Sequence, residues 1–228
     1  MEHNRDLASY IDSCAAHRPE AVAIEFEDQS STYLQLSKNI ETVANGLYDL
    51  GVRRTDRVAW LGHNHPLAIE ILLACSRLGA IYLPLNSRLT VAEHRWILDD
   101  ASPTVLVAET DFIEHANAAL IASALNVCTA ADLYSVSPSA PRTGEVNDDV
   151  LLAYTSGTTG RPKGAVLTQK ALVANAVNAT HAHDFSSNDR ILTLLPLFHV
   201  GGLNIQTLPA LFAGAAVLLH RSFDPETW

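Results

Sequence analysis

The chain has 228 residues, of which 48% are hydrophobic and 18% are charged, so it has enough apolar side chains for a globular core. Its formal net charge of −10 argues against nucleic acid or an anionic membrane as a partner, because both bind basic patches. Three widely spaced cysteines without a C-x-x-C pair indicate neither a disulfide framework nor a zinc site, and they fit a reducing cytoplasm. The polar N-terminus lacks a signal-peptide core, and no apolar run approaches about 18 residues, so no transmembrane segment is predicted.

The first part of the chain alternates strand and helix patterns. We predict helices over residues 5–17, 32–50, 64–78, 90–100 and 112–125, strands over 21–26, 57–61, 80–85, 103–108 and 126–128, and a turn at 27–30. The residues expected to cap these helices are Asn4 or Asp6, Thr32 with Gln35, Asn64, and Thr90 with Glu93 at the starts, and Gly51 and Gly79 at the ends. This alternation predicts an α/β fold with mostly parallel sheets flanked by helices.

A stretch rich in Ser and Pro, residues 135–149, is the one clear linker. It predicts a first α/β subdomain over 1–134 and the start of a second over 150–228. The second part carries predicted helices at 168–183 and 203–212 and strands at 190–195 and 215–219. Asp224 and Pro225 are typical of another helix start, just before the chain ends, so we expect the second sheet to be incomplete at the C-terminus.

Residues 154–164 form a loop that suits an anion, and apolar runs typical of strands lie on both sides of it. Three glycines allow backbone N–H groups to approach phosphate oxygens, and hydroxyl and cationic side chains add donors. A Walker phosphate loop is excluded, because the required second glycine would fall on Pro162, and no G-x-G dinucleotide motif occurs. From composition alone, a flexible polar linker remains an alternative.

The string T-S-G-T-T-G-x-P-K-G at 155–164 resembles the signature of the AMP-forming adenylating superfamily, which includes acyl-CoA synthetases (fatty-acid–CoA ligases), luciferase and peptide-synthetase adenylation domains. Residues 196–202 resemble a second motif of that family, P-x-F-H-x-x-G, and residues 79–89 resemble a third, for which we expect a structural role. The resemblance covers nearly the whole chain. It implies the fold of the N-terminal large domain of acyl-CoA synthetases.

The resemblance also implies an activity. The family's enzymes use ATP, Mg²⁺ and coenzyme A to activate a carboxylic acid, here expected to be a fatty acid, as acyl-AMP and to transfer it to CoA. The implied phosphate-binding residues are Thr155, Ser156, Gly157, Thr158, Thr159, Gly160 and Lys163, and the implied catalytic residues are Lys163 and His199. Two alternatives stay open: an adenylation enzyme that loads a carrier protein, and a non-catalytic nucleotide- or partner-binding domain of the same fold.

Later motifs of the family, including its ribose-binding Asp and its C-terminal Lys, do not occur in these 228 residues. We therefore expect the N-terminal part of a longer synthetase, inactive on its own, and leave association into homo-oligomers open. The paired histidines His63 with His65 and His181 with His183 lack the further ligands that a metal site needs, so no metal-binding residues are assigned. A serine hydrolase is not indicated, since no G-x-S-x-G motif occurs.

Overall fold

Two β-sheets organise the chain in this computed structural model, which describes residues 6–120, 125, 127–134, 139–155 and 162–223. The described helices are α1 Leu7–His17, α2 Tyr33–Asp49, α3 Pro66–Leu78, α4 Val91–Ala101, α5 Ile113–Ala119, α6 Ala130–Leu133, α7 Gln169–His183 and α8 Leu208–Ala213. The strands are β1 Val22–Phe26, β2 Gln29–Thr32, β3 Arg57–Leu61, β4 Ile81–Leu85, β5 Val105–Ala108, β6 Val127–Cys128, β7 Asp149–Thr155, β8 Lys163–Thr168, β9 Arg190–Thr193 and β10 Ala216–Leu219. None of the helices in these ranges is long and apolar enough to cross a lipid bilayer.

The larger sheet has the strand order β6-β5-β3-β4-β7-β8, and the smaller has β2-β1-β10-β9. Neighbouring strands are parallel except at one edge of each sheet, where β8 pairs antiparallel with β7 and β2 pairs antiparallel with β1. In the β7–β8 ladder Thr155 lies opposite Lys163. The predicted α/β class with mostly parallel sheets flanked by helices is therefore confirmed, as is the strand on each side of the predicted phosphate loop.

Both sheets take strands from the two sides of the predicted linker. β9 and β10 join β1 and β2 in the smaller sheet, while β7 and β8 extend the larger sheet beyond β4. The division at 135–149 stays a prediction. The described part of that segment is docked on the protein: Arg142 forms a bidentate pair with Asp6 at 2.6 and 2.9 Å. A Cβ on Gly144 would lie 1.8 Å from the Ser76 carbonyl oxygen, so only glycine fits this close approach.

Apolar side chains form two clusters on opposite faces of the larger sheet. Strand β3 shows the alternation clearly, because Val58 and Trp60 belong to one cluster and Ala59 and Leu61 to the other. The first cluster spans both sheets and includes α1, α2, α3, α7 and α8, whereas the second packs under α4 and α5. Helix α3 is buried at every position except Pro66 and Arg77, which makes it the centre of the core.

Most of the predicted helix ends are confirmed. Both capping boxes are formed, at Thr32 and at Thr90, Asp6 caps α1, and Gly79 ends α3 in a left-handed conformation with φ 69°. The cap of α3 was wrong: His65 Nδ1, not Asn64, accepts the N–H of Leu67.

Three predicted segments differ from the structure. The turn predicted at 27–30 is shorter, because backbone pairing with β1 makes Gln29–Thr32 a strand despite its polar sequence. The helix predicted over 112–125 begins after a 3₁₀ turn, and α5 ends at Ala119. The helix predicted at 203–212 starts instead as a π-helical turn, Gly201–Thr207, and becomes α-helical only from Leu208.

Candidate functional site

A cavity of about 460 Å³ opens beside the predicted phosphate loop. Its described walls come from the end of β4 and the following loop, from α4, from the two ends of the loop, and from the 196–202 motif. The lining residues are Pro84, Leu85, Asn86, Leu89, Glu93, Ile97, Tyr154, Thr155, Pro162, Phe198 and His199. The structure thus brings Thr155 and His199, which are 44 positions apart in the sequence (199 − 155), onto one cavity.

The predicted phosphate-binding residues are only partly described. Ser156, Gly157, Thr158, Thr159 and Gly160 lie outside the described residues. Lys163 begins β8, directly across the ladder from Thr155, and its side chain is exposed. It is not among the described residues that line the cavity.

The tautomer of neutral His199 follows from a hydrogen bond to its ring. The backbone N–H of Gly201 donates to Nδ1 of His199 at 2.9 Å. In the neutral imidazole the proton therefore sits on Nε2. Nε2–H is then a donor for an oxygen of a bound ligand, and a carboxylate is a natural acceptor.

Asn64 fixes the loop that carries His199, and sequence reasoning assigned it only a helix cap. Its Oδ1 accepts the N–H of Leu197 at 2.8 Å, and its Nδ2 donates to the carbonyl oxygens of Leu195 and His220 at 3.1 and 2.9 Å. The side chain is buried, with 5% exposed. One amide therefore ties the end of β3 to the loop after β9 and to the end of β10.

The position of the cavity follows a rule that could have identified Asn86 from the sequence. Helix α3 follows β3 and packs on one face of the larger sheet, whereas α4 follows β4 and packs on the other. Ligands of parallel sheets bind beyond the carboxyl ends of such neighbouring strands. The run 79–89, for which only a structural role was expected, supplies Pro84, Leu85, Asn86 and Leu89 to this wall.

Tyr154 links the strand leading into the phosphate loop to α4. Its hydroxyl donates to Asp100 Oδ2 at 2.5 Å, and its ring lies edge-on to Trp96 at a centroid distance of 6.0 Å. Burial, together with the bond to Asp100, raises the pKa of Tyr154 above its usual value.

A buried histidine, His94, supports Asn86 from behind and is itself paired with the half-buried His115. His94 on α4 is fully buried, and its Nε2 lies 3.0 Å from the carbonyl oxygen of Asn86. Because a carbonyl only accepts, Nε2 of neutral His94 carries the proton, and its Nδ1 accepts from Nε2 of His115 at 2.7 Å. Burial is the main cause that lowers the pKa of His94 to about 4.

The histidines of the first pair, His63 and His65, lie beside local groups of the protein. His65 Nδ1 accepts the N–H of Leu67, and His63 Nδ1 lies 3.4 Å from Glu109. Within the described ranges, no group of three His, Cys, Asp or Glu side chains is placed to hold a metal ion.

Comparison with known proteins decides the family. The model of the AMP-binding enzyme family matches residues 11–228. The chain belongs to the AMP-binding enzyme family. The resemblance found in the loop motif is thereby confirmed.

Two similar proteins are, by name, a CoA ligase and a CoA synthase. The chain is 44% identical to the indoleacetate–CoA ligase of Aromatoleum aromaticum, over 97% of this chain and 46% of that protein. It is 42% identical to the feruloyl-CoA synthase of an Amycolatopsis species, over 97% of this chain and 45% of that protein. The chain therefore spans about half the length of these relatives.

A solved structure confirms the fold. The ATP-bound crystal structure of MatB from Rhodopseudomonas palustris superposes with a TM-score of 0.84 and 27% identity, over 98% of this chain and 47% of that one. The N-terminal domain of FACL13 from Mycobacterium tuberculosis superposes with a TM-score of 0.89 and 26% identity, over 96% of this chain and 58% of that one. The two sheets therefore have the fold of the N-terminal domain of acyl-CoA synthetase structures.

We predict that Asn64→Asp loosens the His199 loop. The substitution keeps the oxygen that accepts from Leu197 but removes both N–H donors, so two carbonyl oxygens face a carboxylate in a buried site. We expect a loss of about 2 kcal/mol in the free energy of unfolding and faster hydrogen exchange at the Leu197 amide. Asn188→Asp, at an exposed position, is the matched control. If the Leu197 amide of the Asn64 variant exchanged as slowly as in the wild type, the proposed role of Asn64 in holding the His199 loop would be contradicted.

We predict that His94 makes the fold sensitive to mild acid. Its pKa of about 4 in the folded state lies below the usual value of about 6.5, so the unfolded chain binds more protons between these pH values. Stability should be unaffected by His94 above pH 6.5 and should fall by up to about 1.4 kcal/mol per pH unit below it.

The measurement is urea unfolding of the wild type and of His94→Gln from pH 7.5 to 4.5, with the exposed His181→Gln as control. The His94 variant should have the shallower pH dependence. If the free energy of unfolding changed equally with pH in the wild type and the His94 variant, His94 would not be the cause of the acid sensitivity.

Proposed function

We propose that the chain supplies the phosphate-binding loop and one wall of the acid-binding cavity of an ATP-dependent, AMP-forming CoA ligase. The observation that carries the proposal is the shared cavity: Thr155 and Pro162, at the two ends of the loop, line the same space as His199. The names of the two relatives and the ATP-bound structure of similar fold support this activity.

The proposed reaction has two steps. A carboxylate oxygen of the acid attacks the α-phosphorus of ATP, the bond to the leaving pyrophosphate breaks, and acyl-AMP remains. The CoA thiol then attacks the acyl carbon, its proton passes to solvent, and AMP leaves with the electron pair of the broken C–O bond. Such a reaction depends on positioning and on charge stabilisation.

The chain's own groups would act on the phosphate side. The hydroxyl of Thr155 donates to a phosphate oxygen, as do the predicted residues Ser156–Gly160. The ammonium of Lys163, opposite Thr155 in the ladder, balances the charge that develops on pyrophosphate. In a protein of net charge −10, a cation at this position matters for attracting ATP at all.

On the acid side, Nε2–H of His199 is the group left to donate to the carboxylate, because Nδ1 is engaged by Gly201. The ring of Phe198 and the side chains of Leu89 and Ile97 provide an apolar surface in the same cavity. The acid is thus held at its polar end by a hydrogen bond and along its body by apolar contact.

Magnesium, which the family implies, would enter with the nucleotide. Mg²⁺ prefers oxygen ligands and is usually held by phosphates, waters and at most one or two protein groups. Among the groups that line this cavity, the Thr155 hydroxyl and the Glu93 carboxylate, which also accepts from Thr90, carry oxygen atoms that suit that ion. When bound, it would neutralise charge on the phosphates.

We infer that the acid carries an aromatic ring, in place of the fatty acid expected from the sequence. Both relatives described above act, by name, on acids with aromatic rings, indoleacetate and ferulate. The cavity offers the rings of Tyr154 and Phe198 as flat partners, and such pairs add stabilisation beyond area burial.

We predict that Lys163→Ala weakens the phosphate side. A charge-assisted hydrogen bond is worth about 1.5–3 kcal/mol, so ATP–pyrophosphate exchange should slow by roughly ten- to a hundredfold in the enzyme that carries this chain. The exposed Lys170→Ala is the control, and unchanged exchange would remove Lys163 from the mechanism. With the 228-residue chain itself the test is a titration with ATP, in which Lys163→Ala should raise the Kd and Lys170→Ala should not.

We predict that His199 contacts the acid and that the enzyme prefers acids with an aromatic ring. The His199→Ala substitution should raise the apparent KM for the acid more than that for ATP, with little change in thermal stability, since the side chain is exposed.

Arylacetates and hydroxycinnamates should exceed C8–C16 fatty acids in kcat/KM by at least about tenfold. Equal effects on both substrates would contradict the assignment of His199, and a preference for fatty acids would contradict the aromatic class.

A further inference from the structure

A buried carboxyl group on α3 lacks a cationic partner. Glu70 is only 3% exposed, and among the described residues no Lys or Arg side chain forms an ion pair with it. Its Oε1 accepts from Asn39 Nδ2 at 2.9 Å, and its Oε2 accepts from the hydroxyl of Tyr134 at 2.6 Å. Each carboxylate oxygen keeps a further lone pair for another donor.

This carboxyl group lines a cavity of about 200 Å³. The cavity lies between the β1–β2 hairpin, α2, the start of α3 and the residue after α6, and it shares no described lining residue with the cavity at His199. The rings of Phe26, His65 and Tyr134 line it together with Glu70. A volume of this size holds a small molecule rather than a single water.

The charges around the cavity favour a cation. Nδ1 of His65 accepts the N–H of Leu67 at 3.1 Å, and burial lowers the pKa of His65, so this ring is neutral at pH 7. Glu27 and Asp28 lie in the turn between Phe26 and Gln29, two residues that line the cavity. The cavity therefore combines a buried carboxyl group, aromatic walls and an acidic turn.

We propose that this cavity binds a small organic cation with a primary ammonium group. Three N–H donors of an ammonium can fill the free lone pairs of Glu70, while its methylene groups contact the aromatic rings. A quaternary ammonium offers charge but no N–H, so it should bind more weakly. The proposal is independent of the ligase activity, because no residue of the candidate active site takes part.

Burial makes the charged form of Glu70 costly, and a bound cation would reduce that cost. Burial raises the pKa of Glu70, although the hydrogen bonds from Tyr134 and Asn39 act in the opposite direction. A bound cation would offset this cost of burying charge. The competing interpretation is that Glu70 is protonated and only joins α2 to the residue after α6.

The test is a titration of the chain at pH 7.5 and constant ionic strength with propylammonium, 1-propanol and tetramethylammonium, followed by backbone amide NMR shifts. The amides of Phe26, Asn39 and Glu70 should follow one saturating curve with propylammonium. Affinities for 1-propanol and tetramethylammonium should be at least about tenfold lower. Equal affinity for propylammonium and 1-propanol, or no saturation at these amides, would overturn the proposal without any variant.

Glu70→Gln provides the second comparison, because it keeps the side-chain shape and removes the charge. Its affinity for propylammonium should fall at least about tenfold. Glu41→Gln makes the same charge change at an exposed position of α2 and should bind like the wild type. Wild-type affinity in the Glu70 variant would assign any binding to another part of the surface. ATP and acid are absent from these titrations, so failure of the ligase proposal would leave their outcome unchanged.

Discussion

Helix α3 is apolar around nearly its whole circumference, so it must be covered on every side. Helices α1 and α2 pack on it, and the apolar cluster around it extends to both sheets. Its two interior polar residues, Glu70 and Ser76, need partners within the protein. Ser76 finds one in Gln169, a fully buried side chain whose Oε1 also accepts the N–H of Leu7. Covering one helix thus fixes the start of α1, the start of α7 and the segment between the two halves of the sequence.

The candidate active site sits where this core ends. Strands β3 and β4 end at the same edge of the sheet, and helices α3 and α4, which follow them, pack on opposite faces of it. Side chains behind the cavity hold its walls: Asn64 holds the loop of His199, and His94 holds Asn86. Catalysis by orientation needs walls that do not move, since a displacement of 1 Å can cost about a hundredfold in rate. The buried amide and the buried imidazole are therefore part of the site although neither lines the cavity.

Features that depend only on neighbouring residues could be predicted from the sequence. The capping boxes at Thr32 and Thr90 and the left-handed Gly79 depend on residues within one helical turn, and the structure contains all three. Tertiary contacts decided the rest. Gln29–Thr32 is a strand because its backbone pairs with β1. In the π-helical turn Gly201–Thr207, the hydroxyl of Thr207 donates to the carbonyl oxygen of Gly202. The motifs at 155–164 and 196–202 indicated Thr155, Lys163 and His199. Asn86 lies in the motif at 79–89, which was assigned only a structural role, and Asn64 lies in none of the three motifs.

The antiparallel pairing of β7 and β8 gives the loop between them the character of a hairpin. Thr155 and Lys163 face each other across that ladder, and side chains alternate between its two faces from Leu151 to Thr155, beyond the register shift at Asp149–Leu151. If the connection did not take up one removed or added residue, the register would shift and Lys163 would turn to the opposite face. Substitutions within 156–162 leave that parity intact. A change in length by an odd number can therefore move Lys163 to the face opposite Thr155, which no substitution within the segment does.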